Sequence, residues 1–188
     1  MRQMWPPSAG FAPRDSAQEL LLGLGSNCQP EYHLQQALQW LQQRFGHIER
    51  SVVYESAAVG FNGDPFHNLV VAIQYEGLLS ALRDELKALE DRFGRERQRP
   101  KFSPRNLDLD ILTWGGRAGW YEGLVLPRPD CFHYSYVLRP LAELRPHQLV
   151  PGRTLTWEQL WEQSAHEAHP LTLVEARYAA AEALIEVL

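Results

Sequence analysis

The side chains with the clearest chemical potential are Asp108 and Asp110, in the run Pro104-Arg105-Asn106-Leu107-Asp108-Leu109-Asp110-Ile111-Leu112. Leu107, Leu109 and Ile111 alternate with Asn106, Asp108 and Asp110, the period-2 pattern of a strand with one buried and one polar face. Both carboxylates then point the same way, with Cα atoms about 6.5–7 Å apart, twice the rise per residue. Two such side chains converge on one or two hard cations. Magnesium suits them, because it takes one or two carboxylates and leaves its other positions to water and substrate phosphates. Arg105 lies just upstream, after Arg95, Arg97, Arg99 and Lys101. A solvated sheet edge also carries acidic residues; the adjoining basic run is what points to a Mg-polyphosphate site instead.

The composition limits what surrounds this site. The 188 residues fit one domain with a sizeable core, and 45% hydrophobic with 22% charged residues is ordinary for a globular protein. Net charge is 18 − 23 = −5, so the chain as a whole has no electrostatic footprint for nucleic acid. A locally basic loop on an acidic protein suits a small polyanion better than a duplex. Cys28 and Cys131 are the only cysteines, too few for a disulfide scaffold and without metal-ligand spacing. Met1 to Glu19 has no apolar core and does not read as a secretory signal, and no apolar run approaches the length of a membrane span. A cytoplasmic, monomeric protein is the expectation.

The elements that must position the acidic pair follow from periodicity and turn residues. Residues 1–17 read as a flexible extension, 18–170 as the domain, and 171–188 as a C-terminal tail with helical spacing from Val174 onward. Leu20 to Asn27 reads as a buried strand running into a turn, with Gly23 marking a close backbone approach. Glu31 to Phe45 has an amphipathic helical pattern through Leu34, Ala37, Leu38 and Leu41. His47 to Ala58 and Phe66 to Tyr75 read as strands. Leu82, Leu86, Leu89 and Phe93 define a second helix closed by Gly94. The order is β-α-β-β-α-β, predicting a ferredoxin-like α+β domain with an antiparallel sheet, helices on one face and the other free for ligands. Beyond it, Trp120 to Leu126 reads as a further strand, and Tyr134 to Leu144 and Thr156 to Glu167 as additional helices, the first interrupted by Pro140.

From about Leu20 to about Gly152 the chain resembles the 6-hydroxymethyl-7,8-dihydropterin pyrophosphokinases of folate biosynthesis. The marks are Leu24-Gly25-Ser26-Asn27, Phe66-His67-Asn68, Glu90, Arg95, Arg97, the Pro104 to Asp110 run, Leu124 to Asp130, and Arg139-Pro140-Leu141-Ala142-Glu143, all in one order. The resemblance implies pyrophosphoryl transfer from ATP to the pterin hydroxymethyl group, releasing AMP. Asp108 and Asp110 match the carboxylates that hold two Mg²⁺ ions. Arg95 and Arg105 match catalytic phosphate-binding arginines, and Arg97, Glu90 and Arg128 fall at further ATP-side positions. Guanidinium groups suit the task because they grip oxygens two at a time. Asn68 matches the amide that hydrogen-bonds the pterin, and Phe66 and Tyr136 match the two rings that sandwich it. Ser56, Ala57 and Val59 fall where backbone lines the pterin pocket, and Phe102 matches an aromatic that closes over it.

Four departures accompany these matches. The sandwich order is Phe66 then Tyr136 where the family has Tyr then Phe. Ala57 replaces a usual proline, Arg128 a His, and Tyr134 an Arg. The last two positions face the triphosphate in the family, so Arg128 is expected to take over the duty of the cation absent at 134. Two alternatives to the pyrophosphokinase remain at this level. One is a diverged homologue that binds a pterin or nucleotide without this reaction or uses another pterin. The other is a ferredoxin-like RNA-binding or regulatory module, disfavoured by the acidic charge and by the Asp pair on the sheet.

Overall fold

A computed structural model describes residues 17–94, 104–164, 170–175 and 178. β1 (Gln18–Ser26), α1 (Pro30–Phe45), β2 (Glu49–Arg50), β3 (Tyr54–Ser56), β4 (Phe66–Tyr75), α2 (Leu79–Arg92) and β5 (Asp108–Trp114) follow in the expected order. The predicted second strand is divided in two. Ser51 breaks it, since its hydroxyl accepts the Val70 amide at 3.0 Å in place of a ladder carbonyl. After β5 come β6 (Gly119–Tyr121), β7 (Leu124–Leu126), α3 (Asp130–His133), α4 (Ser135–Leu144), α5 (Trp157–Gln163) and β8 (Leu171–Leu173). The main sheet runs β5-β1-β4-β3-β8, with β2 beside β4, and every pairing is antiparallel. This is the ferredoxin-like α+β arrangement with β8 added at one edge.

Leucine and valine on both faces of β1 and β4 explain why helices cover both. Leu20, Leu22, Leu24, Leu69, Val71 and Ile73 pack against α1 and α2, joined there by Leu107, Leu109 and Ile111. Leu21, Val70, Ala72 and Leu112 pack against Leu138 and Leu141 of α4 and Trp157 of α5. The expectation of one helical layer and one free face is therefore corrected. Apolar side chains on the second face require a cover of their own, and only one end of that face opens as a cavity.

Three further readings change. Trp120 to Leu126 is a hairpin, β6 paired with β7, turning at Glu122 and Gly123, both at positive φ. Leu171 to Leu173, at the head of the C-terminal tail and given no strand by the sequence, is strand β8 because it pairs with the open edge of β3. The helix from Thr156 is shorter than predicted but begins as a capping box, with Thr156 and Gln159 exchanging side-chain and backbone hydrogen bonds. α4 continues through Pro140, and Gly94, at φ 79°, follows the last turn of α2 as read. Among the described residues no helix is long and apolar enough to cross a membrane.

β5 is an edge strand, and its outer backbone groups find specific partners. Leu109 N–H donates to Glu90 Oε1 at 2.8 Å, and Arg128 N–H donates to the Leu112 carbonyl at 2.8 Å. Glu90 is only 3% exposed, so it pins the strand that carries the aspartates to α2 rather than lying on a solvated helix face. Glu90→Ala is expected to lower unfolding free energy by about 1–3 kcal/mol, the cost of leaving a buried donor unpaired. Glu90→Gln, which keeps an acceptor, should lose less; equal denaturant midpoints for all three proteins would contradict this anchoring role.

Candidate functional site

The register of the three central strands builds the site. Asp108 and Asp110 on β5 stand opposite Gly25 and Gly23 on β1, and those glycines stand opposite Asn68 and Val70 on β4. One row across the sheet is thus Asp108, Gly25, Asn68, spanning about 10 Å, two strand spacings. The middle of the row has no side chain. A Cβ at Gly25 would lie 3.3 Å from Asn68 Oδ1, and one at Gly23 would lie 3.3 Å from the Leu112 methyls. Both glycines therefore keep a floor open between the acidic end and the amide end.

Over this floor lies a cavity of about 270 Å³. Ser56, Ala57, Val59, Phe66, Asn68, Arg105, Asp108, Asp110, Arg128 and Tyr136 all line it, so the fold gathers these sequence-derived candidates in one place. A second cavity of about 220 Å³ lies against α2, walled by Arg83, Leu86, Lys87, Glu90, Ile111 and Leu124. Asp108, Asp110 and Arg128 border both cavities. Arg95, Arg97 and Phe102 lie outside the described residues.

The charged groups at this junction are interlocked. Arg105 pairs with Asp108. Arg128 reaches Asp110 at 3.2 Å with one terminal nitrogen and bonds Asp130 through Nε. Burial pushes the Asp110 carboxyl up to about 6, and the neighbouring Asp108 and Asp130 charges add to that, against the opposing pull of Arg128 and Arg105. The acidic pair is thus incompletely neutralised, a state that a further cation relieves. Among the described residues no three or more His, Cys, Asp or Glu gather as a metal-holding group. Two carboxylates open to a cavity fit a hard cation that keeps part of its shell for water and phosphate.

Two asparagines hold the frame. Asn27 N–H donates to the Arg105 carbonyl at 3.0 Å, and its Oδ1 accepts the Arg105 N–H at 2.7 Å. Its Nδ2 also donates to the Asp64 carbonyl at 3.0 Å. The turn at Gly25-Ser26-Asn27 thus ties the end of β1 to the approach of the Asp strand. Asn68 Nδ2 donates to Ser56 Oγ at 3.0 Å and to the Phe66 carbonyl at 3.2 Å. That fixes the amide plane with Oδ1 toward Gly25.

Sequence reasoning missed several wall residues. Phe61 and Leu112 give no signal beyond apolarity, and Asp130 none beyond its place at the end of the Leu124 to Asp130 stretch. In the sequence Tyr134 stands out only for the cation it lacks. Its ring stacks on Tyr136 with centroids 5.0 Å apart and planes 18° from parallel, and both rings face the cavity. Burial is the main reason the Tyr136 hydroxyl titrates above the usual phenol range, with nearby negative charge adding to it. It keeps its proton throughout the physiological range.

A family model described as 7,8-dihydro-6-hydroxymethylpterin-pyrophosphokinase matches residues 21–146. The 2-amino-4-hydroxy-6-hydroxymethyldihydropteridine pyrophosphokinase of Synechocystis is 35% identical over 161 residues, covering 82% of each chain. The Haemophilus influenzae protein of the same name is 31% identical over 150 residues, covering 78% of this chain and 93% of its own. A crystal structure of Plasmodium falciparum HPPK-DHPS superposes with a TM-score of 0.61 at 12% identity over 78% of this chain, which speaks for the fold alone. The present chain spans 43% of that longer polypeptide.

The raised Asp110 value has a signed consequence for stability. Below pH about 4 the carboxyl is protonated both folded and unfolded; between about 4 and 6 the unfolded chain releases that proton while the folded chain retains it. Asp110 therefore destabilises the cation-free fold progressively as pH rises through this window. Asp110→Asn removes the effect, so with chelator present its melting temperature relative to the parent should climb from pH 4 to pH 7. A pH-independent difference would show that Asp110 ionises in the fold as it does in water.

Proposed function

The chain belongs to the 7,8-dihydro-6-hydroxymethylpterin-pyrophosphokinase family, and from that premise we propose the following use of its site. It transfers pyrophosphate from ATP to the hydroxymethyl group of 6-hydroxymethyl-7,8-dihydropterin, releasing AMP, in folate biosynthesis. The observation that carries this reading is the meeting of two cavities at one acidic pair, Asp108 and Asp110. A two-substrate transfer needs such a junction, with the acceptor on one side and the donor on the other.

On the acceptor side Phe66 and Tyr136 offer aromatic faces to the pterin ring, the interaction such flat rings favour. Asn68 Oδ1, its amide already oriented by Ser56 and Phe66, accepts a ring N–H, and Ala57 and Val59 line the rim. On the donor side Leu86, Ile111 and Leu124 supply apolar contact to the nucleoside, with Glu90 in the wall behind. Arg105 and Arg128 hold the phosphates, together with Arg95 and Arg97, and Phe102 closes over the pterin. Phosphoryl chemistry asks the protein mainly for positioning and charge stabilisation. Mg²⁺ bound by Asp108 and Asp110, two ions in this reading, would supply charge neutralisation across the triphosphate.

Arg105 and Arg128 each rest on a carboxylate of the acidic pair. They are thereby held within reach of the phosphates while ATP is away. Arg128 keeps its charge at any working pH, unlike the histidine that the family carries at this position. Tyr134 supplies a ring to the pterin side rather than a cation to the phosphate side. The proposed enzyme is a monomer that works in the cytoplasm.

Incubation with ATP, Mg²⁺ and the pterin should yield AMP; ADP would indicate an ordinary kinase, and no turnover a diverged relative. Asp108→Asn and Asp110→Asn should each reduce turnover by about 10²–10³-fold, by analogy with loss of one preorganised electrostatic group. Unchanged rates and Mg²⁺ dependence would remove the metal assignment. Arg128→Ala should slow turnover by about 10²-fold, with partial recovery when Tyr134→Arg is added. If Arg128→Ala alters neither ATP affinity nor rate, the relocated cation has no role.

A further inference from the structure

We infer that the C-terminal segment, residues 171–175 with Tyr178, positions the pterin side of the site, so that pterin binding depends on it while ATP binding does not. The inference rests on the functional reading above, and the segment lies beyond the family match at 21–146. β3 is three residues long, and pairing with β4 leaves its other edge open. β8 closes that edge in register, Leu171 opposite Ser56, Thr172 opposite Glu55 and Leu173 opposite Tyr54. Beyond β8, Val174 N–H donates to the Val53 carbonyl at 3.0 Å. The Glu175 carboxylate accepts the Val53 N–H at 2.8 Å and two Arg50 nitrogens at 2.8 and 3.2 Å. One carboxylate thereby braces the irregular link between β2 and β3.

A second contact reaches β4. Tyr178 is 2% exposed, and its hydroxyl lies 2.6 Å from His67 Nδ1, while His67 Nε2 lies 3.3 Å from Glu55. His67 sits between Phe66 and Asn68, the ring and the amide assigned to the pterin. The segment therefore grips both strands that deliver this half of the site. Ser56, the last residue of β3, accepts the Asn68 amide at 3.0 Å. Ala57, Val59 and Phe61, which follow it into the cavity wall, lie outside any helix or strand. Their placement depends on where β3 ends. The acidic end of the site, by contrast, is on β5, separated from β3 by β1 and β4. Displacing β3 should misplace the pterin contacts and spare the phosphate contacts, because small misplacements act where the groups are held.

The test varies pterin and ATP separately in steady-state kinetics of the full chain, with calorimetric titration of the pterin and melting temperatures alongside. Glu175→Ala should raise the pterin KM on the order of tenfold, since slight misplacement of contact groups weakens binding strongly. The ATP KM should stay within about twofold, as expected for a distant site. Glu175→Gln, which still accepts from Val53 N–H, should recover part of the loss. Tyr178→Phe, which keeps the ring and drops the hydroxyl, should shift the pterin KM in the same direction and decides the matter if Glu175→Ala does not fold. A lower melting temperature with unchanged pterin KM, or equal rises in both KM values, would overturn the inference. If the parent protein turns over normally in either case, the functional reading stands without it; if the parent binds no pterin, both fall.

Discussion

Two carboxylates on one face of an edge strand, held close enough for the Asp108 charge to disfavour ionisation of Asp110, are the constraint on which this structure turns. Asp108 and Asp110 repel, and burial makes that repulsion stronger. The surrounding chain is arranged so that the pair persists. Arg105 and Arg128 oppose the charge from outside the strand. Glu90 and the Arg128 amide take up outer backbone groups of β5 that would otherwise face an open edge. Asn27 secures the approach to the strand by two hydrogen bonds to the Arg105 backbone. An arrangement with net local repulsion and pre-placed guanidinium groups is suited to receive a polyanion together with its cations.

The glycines of β1 decide what can reach that pair. A side chain at residue 25 would press on Asn68, and one at residue 23 on Leu112. Their absence leaves a trough from the carboxylates to the amide. The covered part of the same face does the opposite work: Leu21, Val70 and Ala72 under α4 and α5 form a second core, and the cavity begins where apolar side chains give way to glycine and polar groups. Stability and access are thus divided along one sheet face.

Tyr134 and Arg128 serve the site in different ways, one by packing and one by charge. The ring at 134 extends the aromatic wall through its stack on Tyr136, while the cation at 128 contacts Asp110 and Asp130. The seven residues from 128 to 134 serve both ends of the cavity, because the turn entering α3 sets Arg128 beside Asp110 and Asp130 while Tyr134, just before α4, stacks on Tyr136.

What the sequence by itself determined was local. The alternation around Asp108 and Asp110, the helical spacing of α1 and α2, and the order of elements are all written in neighbouring residues, as are the marks of the family. Residue type and spacing pointed to the acidic pair and Arg105, and the family resemblance named the other half-dozen or so wall residues that were foreseen. What only the tertiary structure decided were relations between distant segments: Gly25 facing both Asp108 and Asn68, the burial of Glu90, the apolar cover of the second sheet face, and β8 closing β3. Periodicity tells which residues share a face, but not which partner meets that face. Arg50 and Glu175 lie 125 residues apart, and nothing local to either predicts their pairing. Leu171 to Leu173 became a strand because an unpaired edge of β3 was available, and a backbone donor takes its partner from whatever the completed fold brings within reach.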